Sequence, residues 1–393
     1  MINSWLKSVL PIAGLFSCRM LGLFLLIPVF TIYAGELVNA TPGLIGIALG
    51  AYGLGQCLWQ LPMGLLSDHY GRKPILIFGL LLLGLGSLVG ALANSIETVI
   101  IARVLQGSGA IGSVLMALLA DLTTVQSRTK GMAVIGGTIG LSFAFAMVIS
   151  PVIASNFGLS GIFYSTLLLS LVGLLLLECV PAPPVIVSNL PLNWRTLYFE
   201  RLRISFMDRR LQKMNLGIFF QHWILTATFY VLPLVLQQQV VLGHLQHISW
   251  FYLGVLLIAF VIMVPLIIIG EKRGYVRGIL LLSVGLTACT QFFLAYSYQY
   301  WVWLCLFMVA YFAVFNVLEA LLPSLISKQA QHTNKGTAMG IYSTFQFLGI
   351  FVGGILAGAV FSRAGYQAVF YLNSIVALVW LISVRRVDLS LPN

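Results

Sequence analysis

Residues 75–92 read ILIFGLLLLGLGSLVGAL, an apolar run of 18 residues that contains no charged side chain. A helix of about 20 such residues crosses the roughly 30 Å hydrocarbon core of a bilayer. Similar runs recur throughout the chain, because 60% of its 393 residues are hydrophobic and only 8% are charged. Soluble domains carry about 25% charged residues. The composition therefore excludes a soluble enzyme, a disordered protein and a disulfide scaffold, and it predicts an all-α membrane protein.

The apolar runs also predict the number of membrane spans. A transmembrane barrel would need segments of about 10 residues in which apolar and polar side chains alternate, whereas the runs in this chain are continuous. We therefore predict twelve transmembrane helices. They lie near residues 9–33, 43–66, 74–93, 98–120, 131–155, 160–180, 214–236, 249–270, 278–296, 301–325, 337–361 and 367–384.

The positions of the basic residues predict the orientation of the spans. Of the 21 Lys and Arg residues, 18 fall at the two termini or in alternate gaps between spans, all on one side. Cytoplasmic loops carry such an excess, so we expect a cell inner membrane protein with both termini cytoplasmic. The same excess explains the net charge of +11. We therefore expect the lipid bilayer, and no nucleic acid, as a partner.

The longest gap divides the chain into two halves. It begins with PAPP at 181–184 and continues through a basic stretch. We predict an N-terminal six-helix bundle at 1–180, a cytoplasmic basic linker at 181–212 and a C-terminal six-helix bundle at 213–393. Many secondary transporters are built from two such halves, with the substrate site at their interface.

The gap after the second predicted span reads GLLSDHYGRK from Gly64 onward. It resembles the signature loop GxLxDxxGRxx of the major facilitator superfamily. Gly71 permits a tight turn between two helices. Asp68 can pair with Arg72, and Asp121 at the end of the fourth span is a third candidate for this cluster. The resemblance implies that the loop is a conformational latch between the two halves.

The fourth predicted span carries RVLQGSGA from Arg103 onward, which resembles the RxxQGxGA motif of the same superfamily. Arg103 and Gln106 are three residues apart and therefore lie on one helical face. An arginine inside a bilayer is costly, so we expect Arg103 to face a cavity or a partner. The alternative is a structural role, in an internal ion pair or as a clamp on backbone carbonyl groups.

Further segments resemble the YajR-type group of bacterial inner-membrane transporters within that superfamily. They are SCRMLG from Ser17, MALLADLT from Met116 and EALLPSLISK from Glu319. Proton-coupled drug antiporters of the superfamily also carry GxxxGPxxGG in the fifth span, where this chain keeps Pro151 but has Ala and Ser in place of the glycines. The resemblance implies a proton-coupled, drug-antiporter-like transporter. Members of the group can carry an extra C-terminal soluble domain, which we do not expect here because the chain ends at Asn393.

The candidate substrate and coupling residues are polar side chains inside four spans. In the superfamily, the first, fourth, seventh and tenth spans line the central cavity, and all four carry polar residues here. These are Arg19 in the first span, Arg103 and Gln106 in the fourth, His222, Thr226 and Tyr230 on one face of the seventh, and Asn316 and Glu319 in the tenth.

Two of these residues suggest a route for a proton. Glu319 is the only carboxylate well inside a predicted span, and His222 is the only histidine there. The helical rise places both at depths that allow a direct or water-mediated contact. We hypothesise that Glu319, aided by His222, carries the coupled proton. Alternatively, Glu319 only pairs with a basic group or caps backbone near Pro323.

Arg19 is a lone positive charge in the first span. It could bind an anionic group of the substrate or influence a nearby protonated site, or it could be a structural clamp with its stem packed in the bilayer. Two arginines and one glutamate leave a positive balance inside the spans. This balance favours neutral or anionic substrates over cationic ones.

The sequence thus predicts a secondary active transporter that exports a small hydrophobic or amphipathic molecule by alternating access, coupled to protons. One alternative is a uniporter or symporter for a metabolite or siderophore, which the altered fifth span permits. The other is a non-transporting sensor, which would not need the latch. We expect no enzymatic activity, no catalytic residue, no cofactor and no metal, because the sequence lacks nucleotide-binding and metal-ligand spacings. We expect a monomer whose partners are the small-molecule substrate and protons.

Overall fold

A computed structural model of the chain describes residues 2–181, 194–272, 274–330 and 335–385. Helices account for nearly all of these residues. They are α1 (Ile2–Phe24), α2 (Phe30–Ala34), α3 (Pro42–Tyr70), α4 (Arg72–Ala91), α5 (Ile96–Ser108), α6 (Gly112–Asp121), α7 (Val125–Glu178), α8 (Trp194–Met207), α9 (Arg209–Val241), α10 (Ile248–Lys272), α11 (Val276–Ser297), α12 (Trp301–Gln329) and α13 (Lys335–Val384).

Ten helical stretches within the described ranges are long and apolar enough to cross a bilayer. Two of them, Lys130–Glu178 in α7 and Gly336–Val384 in α13, have 49 residues each, which is about twice the length of one crossing. Each is interrupted by a glycine with positive φ, Gly158 at 63° and Gly365 at 70°. Each therefore contains two membrane-length helices. The described residues thus accommodate the twelve predicted spans, and the all-α membrane fold is confirmed.

Two predicted spans are not continuous helices. In the first, α1 ends at Phe24 and α2 begins at Phe30, because Pro28 has no N–H to donate to the turn before it. In the fourth, residues 109–111 separate α5 from α6. There the backbones of Gly109 and Gly79 lie so close that a Cβ on Gly109 would overlap the carbonyl oxygen of Gly79. The apolar run at 98–120 predicts one continuous helix. The structure instead has two helices, α5 and α6, and the break lies where the backbone of Gly109 approaches that of Gly79.

The predicted linker is described only in part, because residues 182–193 lie outside the described ranges. The remainder contains α8, and Asp208 caps the helix that follows. One carboxylate oxygen of Asp208 accepts hydrogen bonds from the backbone N–H groups of Arg210 at 2.8 Å and Leu211 at 3.4 Å. Such a cap satisfies N–H groups that the first helical turn leaves free. The sequence of the linker therefore encodes a helix and a defined start for α9.

The described residues form two compact units. Unit 1 contains the chain through α7, except for Thr41–Gly50 at the start of α3. Lipid tails are as apolar as the side chains of a span, so close packing and hydrogen bonds hold its helices together. A Cβ on Gly107 of α5 would overlap the carbonyl oxygen of Tyr52 in α3. The core of unit 1 includes Ile12, Met63, Leu76, Val114 and Ile135.

Unit 2 contains α8 to α13 together with Thr41–Gly50. Small residues also allow close backbone approach inside this unit. A Cβ on Gly354 of α13 would lie 2.6 Å from the carbonyl oxygen of Gly46, so any larger residue there would force the two segments apart. The core of unit 2 includes Leu211, Ile218, Leu280, Leu322 and Trp380.

Large apolar side chains cover the outer face of α10. Trp250 is 61% exposed, Phe260 57% and Val261 70%. Soluble proteins rarely expose contiguous apolar surface of this kind, whereas the acyl chains of a bilayer cover it. The chain is therefore a multi-pass membrane protein.

Candidate functional site

The segment between α3 and α4 holds a cluster of charged residues in unit 1. Arg72, the first residue of α4, donates from Nε to Oδ2 of Asp121 at 3.0 Å and from Nη1 to Oδ1 of Asp68. The same Nη1 donates to Oγ of Ser67 at 2.7 Å. One guanidinium group thus joins the ends of α3 and α6 to the start of α4.

Gly64 and Gly71 belong to the segment that carries this cluster. Gly71 has a φ of 92°, a conformation that side chains with a Cβ rarely adopt. The carbonyl oxygen of Gly64 accepts a hydrogen bond from Oγ of Ser67 at 2.7 Å. The structure therefore brings the three charged residues of the predicted latch together and adds Ser67, which the sequence did not single out. Their role as a latch stays a prediction.

Arg19 is buried within unit 1, with 3% of its surface exposed. Its Nη2 donates to Oε1 of Gln56 at 3.0 Å, and Nε2 of Gln56 donates to the hydroxyl of Tyr52 at 2.9 Å. On the face of the Tyr52 ring, Cζ of Arg103 lies 4.8 Å from the ring centroid, which is a cation–π distance. Tyr52 and Gln56 thus connect the two predicted arginines.

Arg103 and Gln106 are in direct contact, as their shared helical face predicts. Nη1 of Arg103 donates to Oε1 of Gln106 at 3.0 Å, and Nε2 of Gln106 donates to Oγ of Ser87 at 2.8 Å. Within the described residues, no carboxylate lies within ion-pair distance of Arg19 or Arg103. The internal ion pair considered for Arg103 is therefore not formed in that part of the chain.

In unit 2, the two ring nitrogens of His222 have different partners. Nδ1 lies 3.3 Å from the carbonyl oxygen of Ile218, and Nε2 lies 2.8 Å from Nε2 of Gln346. A carbonyl oxygen can only accept and an amide NH₂ group can only donate. The proton therefore resides on Nδ1, and the lone pair of Nε2 accepts from Gln346. This arrangement describes a neutral imidazole.

Glu319 of α12 lies next to this imidazole. Its Oε2 is 3.9 Å from Nε2 of His222 and accepts a hydrogen bond from Nε2 of Gln221 at 3.1 Å. The side chain of Glu319 is 40% exposed, whereas that of His222 is 6% exposed. A partly exposed carboxylate next to a buried imidazole is suited to take up a proton and to transfer it to the imidazole. We call Gln221, His222, Glu319 and Gln346 the α9–α12–α13 cluster.

The side chains of the other predicted residues in unit 2 donate to backbone carbonyl groups or form no hydrogen bond within the described residues. Oγ1 of Thr226 donates to the carbonyl oxygen of His222 at 2.8 Å, within the same helix. Tyr230 is 1% exposed and donates to the carbonyl oxygen of Pro42 at 2.8 Å. The side chain of Asn316 is half-buried and forms no hydrogen bond within the described residues. The predicted role of Thr226, Tyr230 and Asn316 in substrate binding or coupling stays a prediction.

Sequence reasoning missed the amides and the phenol that hold the charged groups in place. Tyr52 and Gln56 are four residues apart in an apolar span, a spacing that places them on one face. Gln221 precedes His222 directly, and Gln346 lies far along the chain in α13. Among the described residues, no group of three His, Cys, Asp or Glu side chains is placed to hold a metal ion.

Long apolar helices that bury ionisable groups inside the membrane-spanning stretches define a class of polytopic membrane proteins. Such groups are costly in lipid and mark the paths of substrates, ions or protons. Arg19 and Arg103 in unit 1 and His222 in unit 2 are buried groups of this kind, and the partly exposed Glu319 lies next to His222. These features are those of a transporter.

Comparison with known proteins agrees with this class. The family model of the Major Facilitator Superfamily matches residues 12–270 and 214–390. The inner membrane transport protein YajR of Escherichia coli (strain K12) is 42% identical over 369 residues, which cover 93% of this chain and 80% of that protein. The class H tetracycline resistance protein of Pasteurella multocida is 31% identical over 155 residues, which cover 39% of this chain and 38% of that protein.

A solved structure shows the same fold. The crystal structure of a D-xylose-proton symporter matches with a TM-score of 0.75 and 16% identity, over 96% of this chain and 97% of that one. The chain belongs to the Major Facilitator Superfamily. It is a membrane transporter for small molecules and not an enzyme. The resemblance drawn from the sequence motifs is thereby confirmed.

Proposed function

We propose that the chain is a monomeric, proton-coupled exporter of small hydrophobic or amphipathic molecules in the cell inner membrane, with both termini in the cytoplasm. The observation that carries this proposal is the 3.9 Å distance between Nε2 of His222 and Oε2 of Glu319. The tetracycline resistance relative supports export of an amphipathic compound. The inner membrane relative from Escherichia coli supports the location.

Proton uptake at Glu319 would change the hydrogen bonds between α9 and α12. Nε2 of Gln221 lies 3.1 Å from Oε2 of Glu319 and 3.3 Å from the carbonyl oxygen of Phe315. When Glu319 is ionised, its carboxylate is the stronger acceptor. When it is protonated, the amide retains the Phe315 carbonyl as its acceptor. Protonation of Glu319 would therefore change the hydrogen bonds that connect α9 and α12. A proton can be coupled to a conformational change only if it favours one set of such contacts over another.

Transport by the full chain in proteoliposomes tests this proposal. The vesicles contain a pH-sensitive dye, an imposed pH gradient drives transport, and tetracycline and benzoate serve as probes. We expect probe movement to be accompanied by proton movement, and both to fall at least tenfold in Glu319→Gln. The control is Glu36→Gln, which removes an exposed carboxylate outside the spans. If Glu319→Gln retains full pH-driven transport, Glu319 is not the coupling group.

The composition of the fifth span favours a second candidate, a uniporter or symporter for a metabolite or siderophore. Ser150 replaces a glycine of the antiporter motif, and its hydroxyl donates to the carbonyl oxygen of Leu25. A helix bonded in this way packs differently from one with glycine at that position. The same vesicle assay separates the two functions. Protons and probe move in opposite directions in an exporter and in the same direction in a symporter, and a uniporter moves no protons.

A further inference from the structure

Unit 1 buries two guanidinium groups, and among the described residues no carboxylate lies within ion-pair distance of either of them. Arg19 is 3% exposed and Arg103 is 2% exposed. In the described part of unit 1, both ion pairs involve Arg72, which lies elsewhere in the unit. A buried charge without a counter-charge is strongly unfavourable. This imbalance indicates that unit 1 is built to receive a negative charge.

Arg19 and Arg103 both have unused capacity for hydrogen bonding, because Nε of each is buried without a hydrogen-bond partner within the described residues. Arg103 rests on the Tyr52 ring and donates to Gln106. Within the described residues, Arg19 has one strong hydrogen-bond partner, Gln56, and one weak acceptor, the sulfur of Met20 at 4.0 Å. Its buried Nε has no hydrogen-bond partner within the described residues. Guanidinium groups present five N–H donors, so Arg19 can bind an acceptor that the chain itself does not provide.

The guanidinium group of Arg19 also lies at the start of a helix. A Cβ on Gly112, the first residue of α6, would lie 3.1 Å from Nη1 of Arg19 and 3.2 Å from both Cζ and Nη2. These nearly equal distances show that the plane of the guanidinium group covers Gly112. The N-terminal residue of α6 is capped by no side chain. The N–H groups of its first turn lack helical partners and carry the positive end of the helix dipole.

We propose that unit 1 binds the carboxylate of a small organic acid at Arg19 and the first turn of α6. The fork of a guanidinium group matches the two oxygens of a carboxylate, and the helix start adds N–H donors beside it. Ile111 and Val114 flank this start and are fully buried core residues, which favours an acid with an apolar body. The inference rests on the proposed function in one respect, because it names amphipathic organic acids as the class of transported substrate.

The experiment measures thermal unfolding of the purified full-length chain with benzoate, benzamide or sodium chloride at equal ionic strength. A ligand that binds the folded state raises its melting temperature. We expect benzoate to raise the melting temperature by several degrees, and the uncharged benzamide and sodium chloride to have little effect. The shift should vanish in Arg19→Gln, weaken in Arg19→Lys, which lacks the fork, and persist in Arg363→Gln, which removes an exposed arginine.

Three results would overturn the proposal. They are no shift with benzoate in the unchanged chain, an undiminished shift in Arg19→Gln, and an equal shift with sodium chloride, which would assign the site to inorganic anions. If Arg19→Gln does not fold, an undiminished shift in Arg19→Lys has the same meaning. The assay uses no pH gradient, and we expect Glu319→Gln to keep the benzoate shift. Failure of this proposal and failure of proton coupling at Glu319 are therefore distinguishable.

Discussion

Nε2 of His222 lies 3.9 Å from Oε2 of Glu319, although the two residues belong to different helices. The distance is too long for a direct hydrogen bond and short enough for transfer through one water molecule. Gln221 and Gln346 each donate to one member of the pair. The amides thereby hold both acceptors in place, and only a small movement of either helix is needed to close the gap.

We expect His222→Gln to lower pH-driven transport by at least tenfold, because the proposed partner of Glu319 is lost. If the two residues act as a unit, the double variant His222→Gln/Glu319→Gln should be no slower than either single variant. Transport rates in proteoliposomes provide the measurement. The control His69→Gln alters a histidine at the end of α3, outside the α9–α12–α13 cluster. Additive losses in the double variant would show that the two residues act independently.

Arg72→Ala should lower the free energy of unfolding by about 1–3 kcal/mol, because a largely buried ion pair with Asp121 is broken. The side chains of Arg72 and Asp121 are 18% and 19% exposed, whereas that of Asp68 is 52% exposed. Asp68→Asn should therefore have a smaller effect than Asp121→Asn. Thermal unfolding of the purified protein checks the order. Lys73→Ala is the control, and an equal loss in that variant would contradict a specific role for Arg72.

Gly107→Ala should destabilise the protein by about 1–3 kcal/mol, because its Cβ would overlap the backbone of Tyr52. Gly285→Ala is the matched control, since nothing lies within 4 Å of a Cβ at that helical position. Alanine is the better helix former, so we expect this control to gain about 0.5–1 kcal/mol. Melting temperatures of the two variants should move in opposite directions. The same sign for both would contradict the close approach of α3 and α5.

Asn373→Ala should lower the free energy of unfolding by about 1–2 kcal/mol. Nδ2 of Asn373 donates to Oε1 of Gln291 at 3.1 Å and to Oγ1 of Thr228 at 3.3 Å, and all three side chains are fully buried. The combined variant Asn373→Ala/Gln291→Ala should cost less than the sum of the two single losses. Asn156→Ala is the control, because the hydrogen bonds of Asn156 within the described residues go to exposed groups of its own helix. Thermal unfolding provides the measurement, and additivity would contradict a shared network.

The proposed orientation predicts the activity of reporter fusions. Alkaline phosphatase, which is active outside the cytoplasm, should be active when fused after Gln299 in the gap between α11 and α12. It should be inactive when fused after Lys272 at the end of α10, since the basic residues of that gap favour the cytoplasm. A fluorescent protein fused after Asn393 should fluoresce. The reverse pattern would place the termini outside.

Much of the fold could be predicted because membrane insertion depends on local properties. A continuous apolar run such as 75–92 is long enough to span a bilayer whatever its neighbours are. The division at Gly109 could not be predicted in this way. It is accompanied by close contact with Gly79 of another helix, and Gly is frequent in membrane helices whether or not they are broken.

The charged residues of the candidate site could be predicted from the sequence. The neutral side chains that bond to them could not. Arg19, Arg103, His222 and Glu319 stand out because ionisable groups are rare in apolar spans. Their neutral partners do not stand out, since an amide such as Gln346 is one of many uncharged polar residues. Tyr230 shows the same limit. Its place on the helical face of His222 could be predicted, and only the structure shows that its hydroxyl group is bonded to backbone at Pro42.

The sequence by itself determined that this chain spans a membrane and that it belongs to the Major Facilitator Superfamily, because hydrophobic length and the loop from Gly64 are local in the chain. Only the tertiary structure decided which groups meet. Gln346 reaches His222 at 2.8 Å across 124 positions, and Gln56 reaches Arg19 at 3.0 Å across 37. Such contacts depend on how separate helices pack, which the spacing of residues within one helix does not specify.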